Sequence, residues 1–151
     1  MSIEIERKFL VSDNSYKSLA IAKTYICQGY LSTDPDATVR VRVYGDKACI
    51  TVKSRGVGAS RGEWEYPVPP RDALEMLAAC CGERKLEKTR YIVDAGNGLR
   101  WEVDEFHGRH EGLVIAEIEL PAEDTPFEKP PFVGEEVTGD LRYYNSTLSR
   151  D

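Results

Sequence analysis

Charged residues of like sign recur at every second position along this 151-residue sequence. In an extended strand, residues i and i+2 share one face, and the residue between them lies on the other face. The intervening residues are mostly apolar, β-branched or aromatic, which predicts β-strands with one charged face each. The pairs are Glu4 and Glu6, Arg40 and Arg42, Lys53 and Arg55, Glu63 and Glu65, Lys88 and Arg90, Glu102 and Asp104, and Glu117 and Glu119.

These pairs could bind a metal ion and a polyanion. Two carboxylates about 4 Å apart repel each other by roughly 4 kcal/mol at an effective dielectric constant near 20, so grouped acidic pairs favour a bound cation. Hard divalent ions such as Mg²⁺ or Mn²⁺ prefer carboxylate oxygens. The basic pairs would bind a polyanion through charge-assisted hydrogen bonds. For any one pair, the alternative is a solvated sheet face with cross-strand ion pairs.

Strands and covering helices must position these charged faces. If the strands close into a barrel with the charges inside, helices have to cover the apolar outer faces. We predict three helices: about two turns after the start signal at 12–15, an amphipathic helix over 72–81, and a capped terminal helix within 139–148. Residues 121–131 are predicted to form a proline-rich surface linker. On this hypothesis the charged face is the interior one.

Composition narrows the class of protein. With 41% hydrophobic residues, the chain can bury one sizeable core, and we expect a single domain over 1–151. The net charge of −6 disfavours nucleic acid or an anionic membrane as a partner. No apolar run approaches the roughly 20 residues that cross a bilayer, and charges at 4–8 exclude a signal-peptide pattern. The four cysteines lack CxxC spacing, so we expect reduced thiols and a cytoplasmic location.

The charged segments, taken in order, resemble the CYTH superfamily, also called triphosphate tunnel metalloenzymes. Glu4-Ile5-Glu6-Arg7-Lys8 looks like the ExExK signature of that family. Later segments resemble further family motifs in the same order, at 39–42, 51–53, 63–65, 88–91, 101–104, 116–120 and 140–145. The resemblance implies an α+β, mainly β fold: an eight-stranded antiparallel closed β-barrel, or tunnel, with a charged interior and covering helices.

The resemblance also implies roles for individual residues. Glu4, Glu6, Glu117 and Glu119 would be the leading metal ligands, and Glu63, Glu65, Glu102 and Asp104 would complete a second metal site or orient the attacking water. The phosphate-binding residues would be Lys8, Arg40, Arg42, Lys53, Lys88 and Arg90. Lys88, Glu63 and Glu65 are the catalytic candidates, and Arg55 is a rim candidate. Tyr143, Tyr144 and Asn145 would either plug one tunnel end or only pack there.

The leading functional hypothesis is hydrolysis of a small-molecule triphosphate, inorganic tripolyphosphate or a nucleoside triphosphate, with Mg²⁺ or Mn²⁺ as cofactor. The metal ion would activate a water, so that no covalent nucleophile is needed. One alternative within the resemblance is an adenylate cyclase that makes cyclic AMP from ATP. Another is a non-catalytic polyphosphate or nucleotide sensor. The acidic set argues against a pure anion sensor, because carboxylates facing an anion require an intervening metal.

Overall fold

The computed structural model describes residues 2–150 and consists mainly of β-strands. The nine strands are β1 (Ser2–Val11), β2 (Ala22–Ser32), β3 (Ala37–Tyr44), β4 (Lys47–Ser54), β5 (Ser60–Pro67), β6 (Lys85–Gly96), β7 (Leu99–Phe106), β8 (Val114–Glu119) and β9 (Val133–Glu136). The α-helices are α1 (Tyr16–Leu19), α2 (Pro70–Ala79) and α3 (Asn145–Leu148). Short 3₁₀ turns cover Gly108–His110 and Leu141–Tyr143.

Eight of the strands form a closed antiparallel barrel. The strand order is β5-β4-β3-β2-β6-β7-β8-β1, and β1 pairs with β5 to complete the ring. The ninth strand, β9, pairs with the end of β1 outside the ring, through Phe9 with Glu136 and Val11 with Val133. The predicted eight-stranded barrel is therefore confirmed.

The alternating pattern places the charged side chains inside this barrel. In β3, Arg40 is buried in the barrel interior, whereas Val41 on the opposite face packs in an apolar cluster with α2. The β3–β4 connection turns at Gly45, whose φ of +61° lies in the left-handed region that glycine adopts without strain. The same inside-out pattern holds in β7, where Trp101 packs outside and Glu102 faces the interior.

Two apolar clusters cover the outer surface. The first lies over β1, β6, β7 and β8 and includes Phe9, Trp101 and Ile118 with Tyr16 of α1 and Phe132 before β9. The second places α2 over β2, β3 and β4, and its buried members are Val41, Ala48, Ala73, Leu77 and Cys81. A Cβ on Gly29 would lie only 2.8 Å from Cys81 Sγ. Glycine at position 29 is therefore what allows the α2 region to approach β2 so closely.

A third apolar cluster lies at one end of the barrel interior. Leu86, Phe106 and Ile115 belong to the inward-facing positions of their strands, and Leu148 of α3 packs on them. The C-terminal segment thus covers this end of the interior, while Glu65 and Glu119 are exposed to solvent. The charged part of the lumen is therefore accessible from a different side.

The helices are shorter than the sequence predicts. The two-turn helix after 12–15 is wrong, because α1 has only four residues before the chain extends at Ala20. The terminal helix is likewise reduced to a 3₁₀ turn followed by the four-residue α3. The amphipathic helix is confirmed, two residues earlier than predicted. No helix within residues 2–150 is long and apolar enough to span a membrane.

Candidate active site

A strongly polar cavity of about 240 Å³ occupies the barrel interior. Its walls are formed by inward-facing residues of β1 to β8 and by the C-terminal segment. The lining residues are Glu4, Glu6, Tyr30, Thr38, Arg40, Arg42, Thr51, Lys53, Arg61, Glu63, Glu65, Arg90, Glu102, Glu117, Glu119, Tyr144, Asn145 and Ser146.

The charges on this wall are divided by strand. We define the basic arc as Arg40 and Arg42 of β3, Lys53 of β4 and Arg90 of β6. We define the acidic arc as Glu102 of β7, Glu117 and Glu119 of β8, and Glu4 and Glu6 of β1. Because β7, β8 and β1 are consecutive in the ring, the acidic side chains form one continuous surface. Strand β5 joins the two arcs and carries Arg61, Glu63 and Glu65.

Each cation of the basic arc has defined partners. Arg40 Nη2 donates to Thr51 Oγ1 at 3.2 Å, and Arg42 Nε donates to Gln28 Oε1 at 3.2 Å. Burial, followed by repulsion from Arg40 and Arg90, lowers the pKa of Arg42 to about 10, so it remains charged at neutral pH. The buried Nε of Arg40 has no hydrogen-bond partner anywhere in residues 2–150. A buried donor without a partner is uncommon in folded proteins.

Carboxylates of the acidic arc are crowded against one another. Glu6 lies directly opposite Glu119 in the β1–β8 register, and Glu102 lies opposite Glu117 in the β7–β8 register. Like charges at such positions are destabilising. Burial, together with the charges of Glu117 and Glu4, raises the pKa of Glu6 well above its ordinary value. Burial and the charges of Glu4 and Glu102 also raise the pKa of Glu119.

Opposite charges elsewhere on the wall neutralise each other across strands. Lys53 Nζ lies 2.9 Å from Glu4 Oε1 and 3.4 Å from Glu63 Oε2. Lys8 lies 3.9 Å from Glu117. Burial alone would favour neutral Glu117, but Lys8 and a hydrogen bond from Glu6 lower the pKa of Glu117 to about 2. The expectation that all four acidic pairs need an external cation is therefore too broad, and it applies chiefly to Glu6 and Glu119.

The acidic arc fits a divalent cation by donor chemistry and by charge. Burial and the charges of Glu117 and Glu4 raise the pKa of Glu6, and a bound cation would relieve that repulsion. Within residues 2–150, no three His, Cys, Asp or Glu side chains are arranged as a ready-made metal cluster. The reason is visible in the contacts: Glu4 is drawn to Lys53 and Arg61.

Comparison with known proteins agrees with this architecture. The CYTH domain profile matches residues 2–150. The chain belongs to the CYTH family. It is 52% identical over 151 residues to an inorganic triphosphatase of Acetivibrio thermocellus, covering 100% of this chain and 96% of that protein. It is 39% identical over 149 residues to an inorganic triphosphatase of Nitrosomonas europaea, covering 97% of this chain and 96% of that protein.

A solved CYTH-like structure shows the same fold. The crystal structure of the inorganic triphosphatase NE1496 superposes with a TM-score of 0.68 at 34% sequence identity. The match covers 100% of this chain and 97% of the solved one. The family and the barrel that the ordered set of charged segments implied are therefore both confirmed.

Three residues to which the CYTH resemblance gave roles do not line the cavity. Lys88 is fully buried, and its Nζ lies 2.7 Å from Asp104 Oδ2. Both oxygens of Asp104 also accept hydrogen bonds from Arg90, so they are occupied by cations rather than free for a metal. Lys8 Nζ donates to the Tyr143 carbonyl at 3.0 Å, and Lys8 lines a small neighbouring pocket together with Glu4 and Glu6. Lys88, Lys8 and Asp104 thus lie outside the wall of the 240 Å³ cavity, and their roles remain predictions.

All the other predicted site residues are brought together at the cavity. Glu4, Glu6, Glu102, Glu117 and Glu119 form the acidic arc; Arg40, Arg42, Lys53 and Arg90 form the basic arc; and the catalytic candidates Glu63 and Glu65 lie between them. Arg55, the rim candidate, is exposed and pairs with Asp36 at the surface. The roles of these residues remain predictions.

Sequence reasoning missed Arg61. This residue lines the cavity, lies 3.5 Å from Glu4 Oε1 and places its guanidinium 5.4 Å from the Tyr144 ring. The signal was present, because Arg61 precedes Glu63 and Glu65 by the same two-residue step. The alternating pattern also did not indicate that Tyr144, Asn145 and Ser146 form part of the cavity wall. The C-terminal segment therefore contributes to the site and does more than pack.

Proposed function

We propose that this protein is a divalent-metal-dependent triphosphatase that hydrolyses inorganic tripolyphosphate, with Mg²⁺ or Mn²⁺ as the cofactor. The observation that carries the proposal is one polar cavity in the barrel interior with a basic arc and a crowded acidic arc in its wall. A polyanion satisfies the first arc and a cation satisfies the second. Two relatives that are 52% and 39% identical to this chain are named inorganic triphosphatases, which supports the same substrate class.

The basic arc would bind and orient the phosphate chain. Guanidinium groups present donors in a fixed fork that matches phosphate oxygens, and Arg40 and Arg42 both line the cavity. Arg90 is held by Glu102 and Asp104, so its guanidinium is preorganised rather than mobile. Fixed cations of this kind stabilise the charge that shifts to the leaving pyrophosphate.

The acidic arc would hold the metal through Glu6, Glu117 and Glu119, with Glu4 and Glu102 beside them. When bound, the ion supplies charge neutralisation and lowers the pKa of a water molecule. Glu63 is our candidate for the group that receives a proton from the attacking water, because burial, a hydrogen bond with Glu4 and the Glu4 charge raise its pKa. Attack of that water on the terminal phosphorus breaks one anhydride bond and releases orthophosphate and pyrophosphate.

Product analysis with two substrates tests the proposal. Purified protein is incubated with tripolyphosphate or ATP in the presence of Mg²⁺, Mn²⁺ or a chelator, and orthophosphate, pyrophosphate and cyclic AMP are measured. We expect metal-dependent release of orthophosphate from tripolyphosphate and no release with the chelator. Cyclic AMP and pyrophosphate from ATP would instead identify a cyclase. Tight binding of tripolyphosphate without product in either metal would identify a sensor and contradict the proposal.

A further inference from the structure

Lys88 is fully buried and is held by two acceptors from different parts of the chain. Asp104 Oδ2 lies 2.7 Å from its Nζ, and Asn145 Oδ1 accepts a hydrogen bond from Nζ at 3.1 Å. The Phe106 ring lies 5.6 Å from the ammonium, and Ile26 is the cross-strand neighbour of Lys88. An ammonium in such surroundings depends on every acceptor that it has. Asn145, on α3, is therefore needed to keep Lys88 in place.

Asp104 connects this buried lysine to the cavity. Its Oδ1 accepts from Arg90 Nε at 2.8 Å, and its Oδ2 accepts from Arg90 Nη2 at 2.9 Å. The same Oδ2 also contacts Lys88, so the position of Lys88 constrains the carboxylate that orients the Arg90 guanidinium. Arg90 lines the cavity, whereas Lys88 and Asp104 do not. The orientation of a cavity cation is thus set from behind the wall.

The helix that carries Asn145 cannot hold its position alone. Helix α3 has four residues, and a one-turn helix is not stable by itself. Arg109 Nη2 ties it down by donating to the carbonyls of Ser149 (2.9 Å), Lys85 (3.1 Å) and Glu83 (3.3 Å). His110 Nε2 donates to the Leu148 carbonyl at 2.7 Å. The Gly108–His110 turn therefore holds the end of α3 from outside the barrel, in addition to the packing of Leu148 on Leu86, Phe106 and Ile115.

We propose that Asn145, Arg109 and His110 are positioning residues that act through Lys88 and Asp104 to hold the Arg90 guanidinium in its phosphate-binding orientation. The chain of contacts runs from an exposed turn, through α3, to the cavity wall. This inference rests on the proposed function, because it assigns Arg90 an anionic substrate. Its structural part, the dependence of Arg90 on Asn145, holds with or without turnover and can be measured separately.

The first experiment removes the acceptor on α3. Because Asn145 also lines the cavity, a change in KM is interpreted together with the Arg90 resonance described below. Asn145→Leu is compared with Asn145→Asp, which keeps an oxygen, and with Thr147→Ala on the same helix, whose side chain makes no hydrogen bond to Lys88. We expect Asn145→Leu to raise the KM for tripolyphosphate roughly threefold to tenfold, because mutations along a coupled network change binding by that amount. A kcat within about twofold of the parent would show that binding, not chemistry, has changed.

The Arg90 Nε–H resonance, assigned with Arg90→Lys, gives a readout independent of activity. It should shift or broaden in Asn145→Leu and stay at the parent position in Asn145→Asp and Thr147→Ala. An unchanged resonance in folded Asn145→Leu would overturn the proposal. If the parent neither binds nor hydrolyses tripolyphosphate while the resonance still responds, the proposed function fails and the contact chain stands.

The second experiment begins from the exposed turn, which does not line the cavity. Arg109→Ala should raise KM about twofold to threefold, and Arg71→Ala on α2 controls for the loss of one surface positive charge. In the Asn145→Leu background, Arg109→Ala should cause no further increase in KM, because the path is already broken. If the effects of Asn145→Leu and Arg109→Ala on KM multiply in the double variant, the proposed path from the turn to Arg90 is contradicted. If Asn145→Leu does not fold, Arg109→Ala and His110→Leu supply the same test through KM and the Arg90 resonance.

Discussion

The acidic arc and the basic arc face the same cavity, but their charges are balanced differently. Two cations of the basic arc are paired within the protein: Arg90 has Asp104 and Glu102, and Lys53 has Glu4 and Glu63. In the acidic arc, Glu6 and Glu119 lie opposite each other, and the pKa values of both are raised. Carboxylates thus hold half of the basic arc in place in the metal-free protein, whereas Glu6 and Glu119 carry repulsion that a cation would relieve.

This difference means that the two arcs should respond differently to substitution. The basic arc is preorganised for an anion whether or not metal is present. In the acidic arc, the repulsion that a cation would relieve is concentrated on Glu6 and Glu119. Loss of an acidic residue should therefore affect metal-dependent turnover, and loss of a basic residue should affect anion affinity.

The largest effect is expected from the acidic arc. Glu119→Gln removes one carboxylate while keeping its size, so we expect metal-dependent hydrolysis of tripolyphosphate to fall roughly a hundredfold or more, given that even outer-shell changes at metal sites cost ten- to a hundredfold. Binding of tripolyphosphate should be largely preserved. Steady-state kinetics over a series of Mn²⁺ concentrations checks this, with Glu75→Gln on the outer surface of α2 as the control. If Glu119→Gln turned over tripolyphosphate at the parent rate, Glu119 would not be part of the metal site.

The next effect is expected from the basic arc. Arg40→Ala deletes a cation whose Nε lacks a partner in the described part of the chain, so the affinity for tripolyphosphate should fall roughly tenfold to a hundredfold. Calorimetric titration in the absence of metal separates this loss from any change in metal binding. Arg71→Ala removes a charge from the exposed face of α2 and should leave affinity unchanged. Equal losses in both variants would mean that only net charge matters.

The smallest effect concerns stability without metal. Burial, followed by the charges of Glu117 and Glu4, raises the pKa of Glu6 in the folded protein above its ordinary 4.5. Between pH 4.5 and that raised pKa, the folded protein therefore binds more protons than the unfolded chain. The free energy of unfolding should therefore fall as pH rises above 4.5, by at most about 1.4 kcal/mol per pH unit for one proton. Glu6→Gln should flatten this slope. Denaturant unfolding from pH 4.5 to 8 measures it, and a slope unaltered by the substitution would show that Glu6 is not the strained group.

The alternation of charged and apolar residues predicted the strands and most of the side chains that line the cavity, and the CYTH resemblance supplied the closed barrel. It identifies which side chains point inward, as for Arg40 and Glu117, but it does not specify depth along the barrel axis. Lys88 and Arg90 are equivalent in the pattern, yet only Arg90 reaches the cavity. Depth depends on strand tilt and on what the C-terminal segment covers, and neither is encoded locally.

Short strands and helices were the other features that the sequence analysis did not predict correctly. Strand β9 has four residues and follows a proline-rich segment, so no period was detectable before it pairs with β1. Grouping of like charges along a strand also overstated the repulsion, because the register places Lys53 beside Glu63 and Arg90 beside Asp104. Cross-strand neighbours follow from register, which the sequence of one strand does not reveal.

A structure determined with tripolyphosphate and Mn²⁺ bound, using a variant of low turnover such as Glu119→Gln beside the parent, tests the central claim most directly. The account predicts phosphate oxygens against Arg40, Arg42, Lys53 and Arg90, and an anomalous Mn²⁺ peak against Glu6 and Glu117 in the same cavity, stronger in the parent. Tripolyphosphate bound outside the barrel, or Mn²⁺ bound away from the acidic arc, would contradict it.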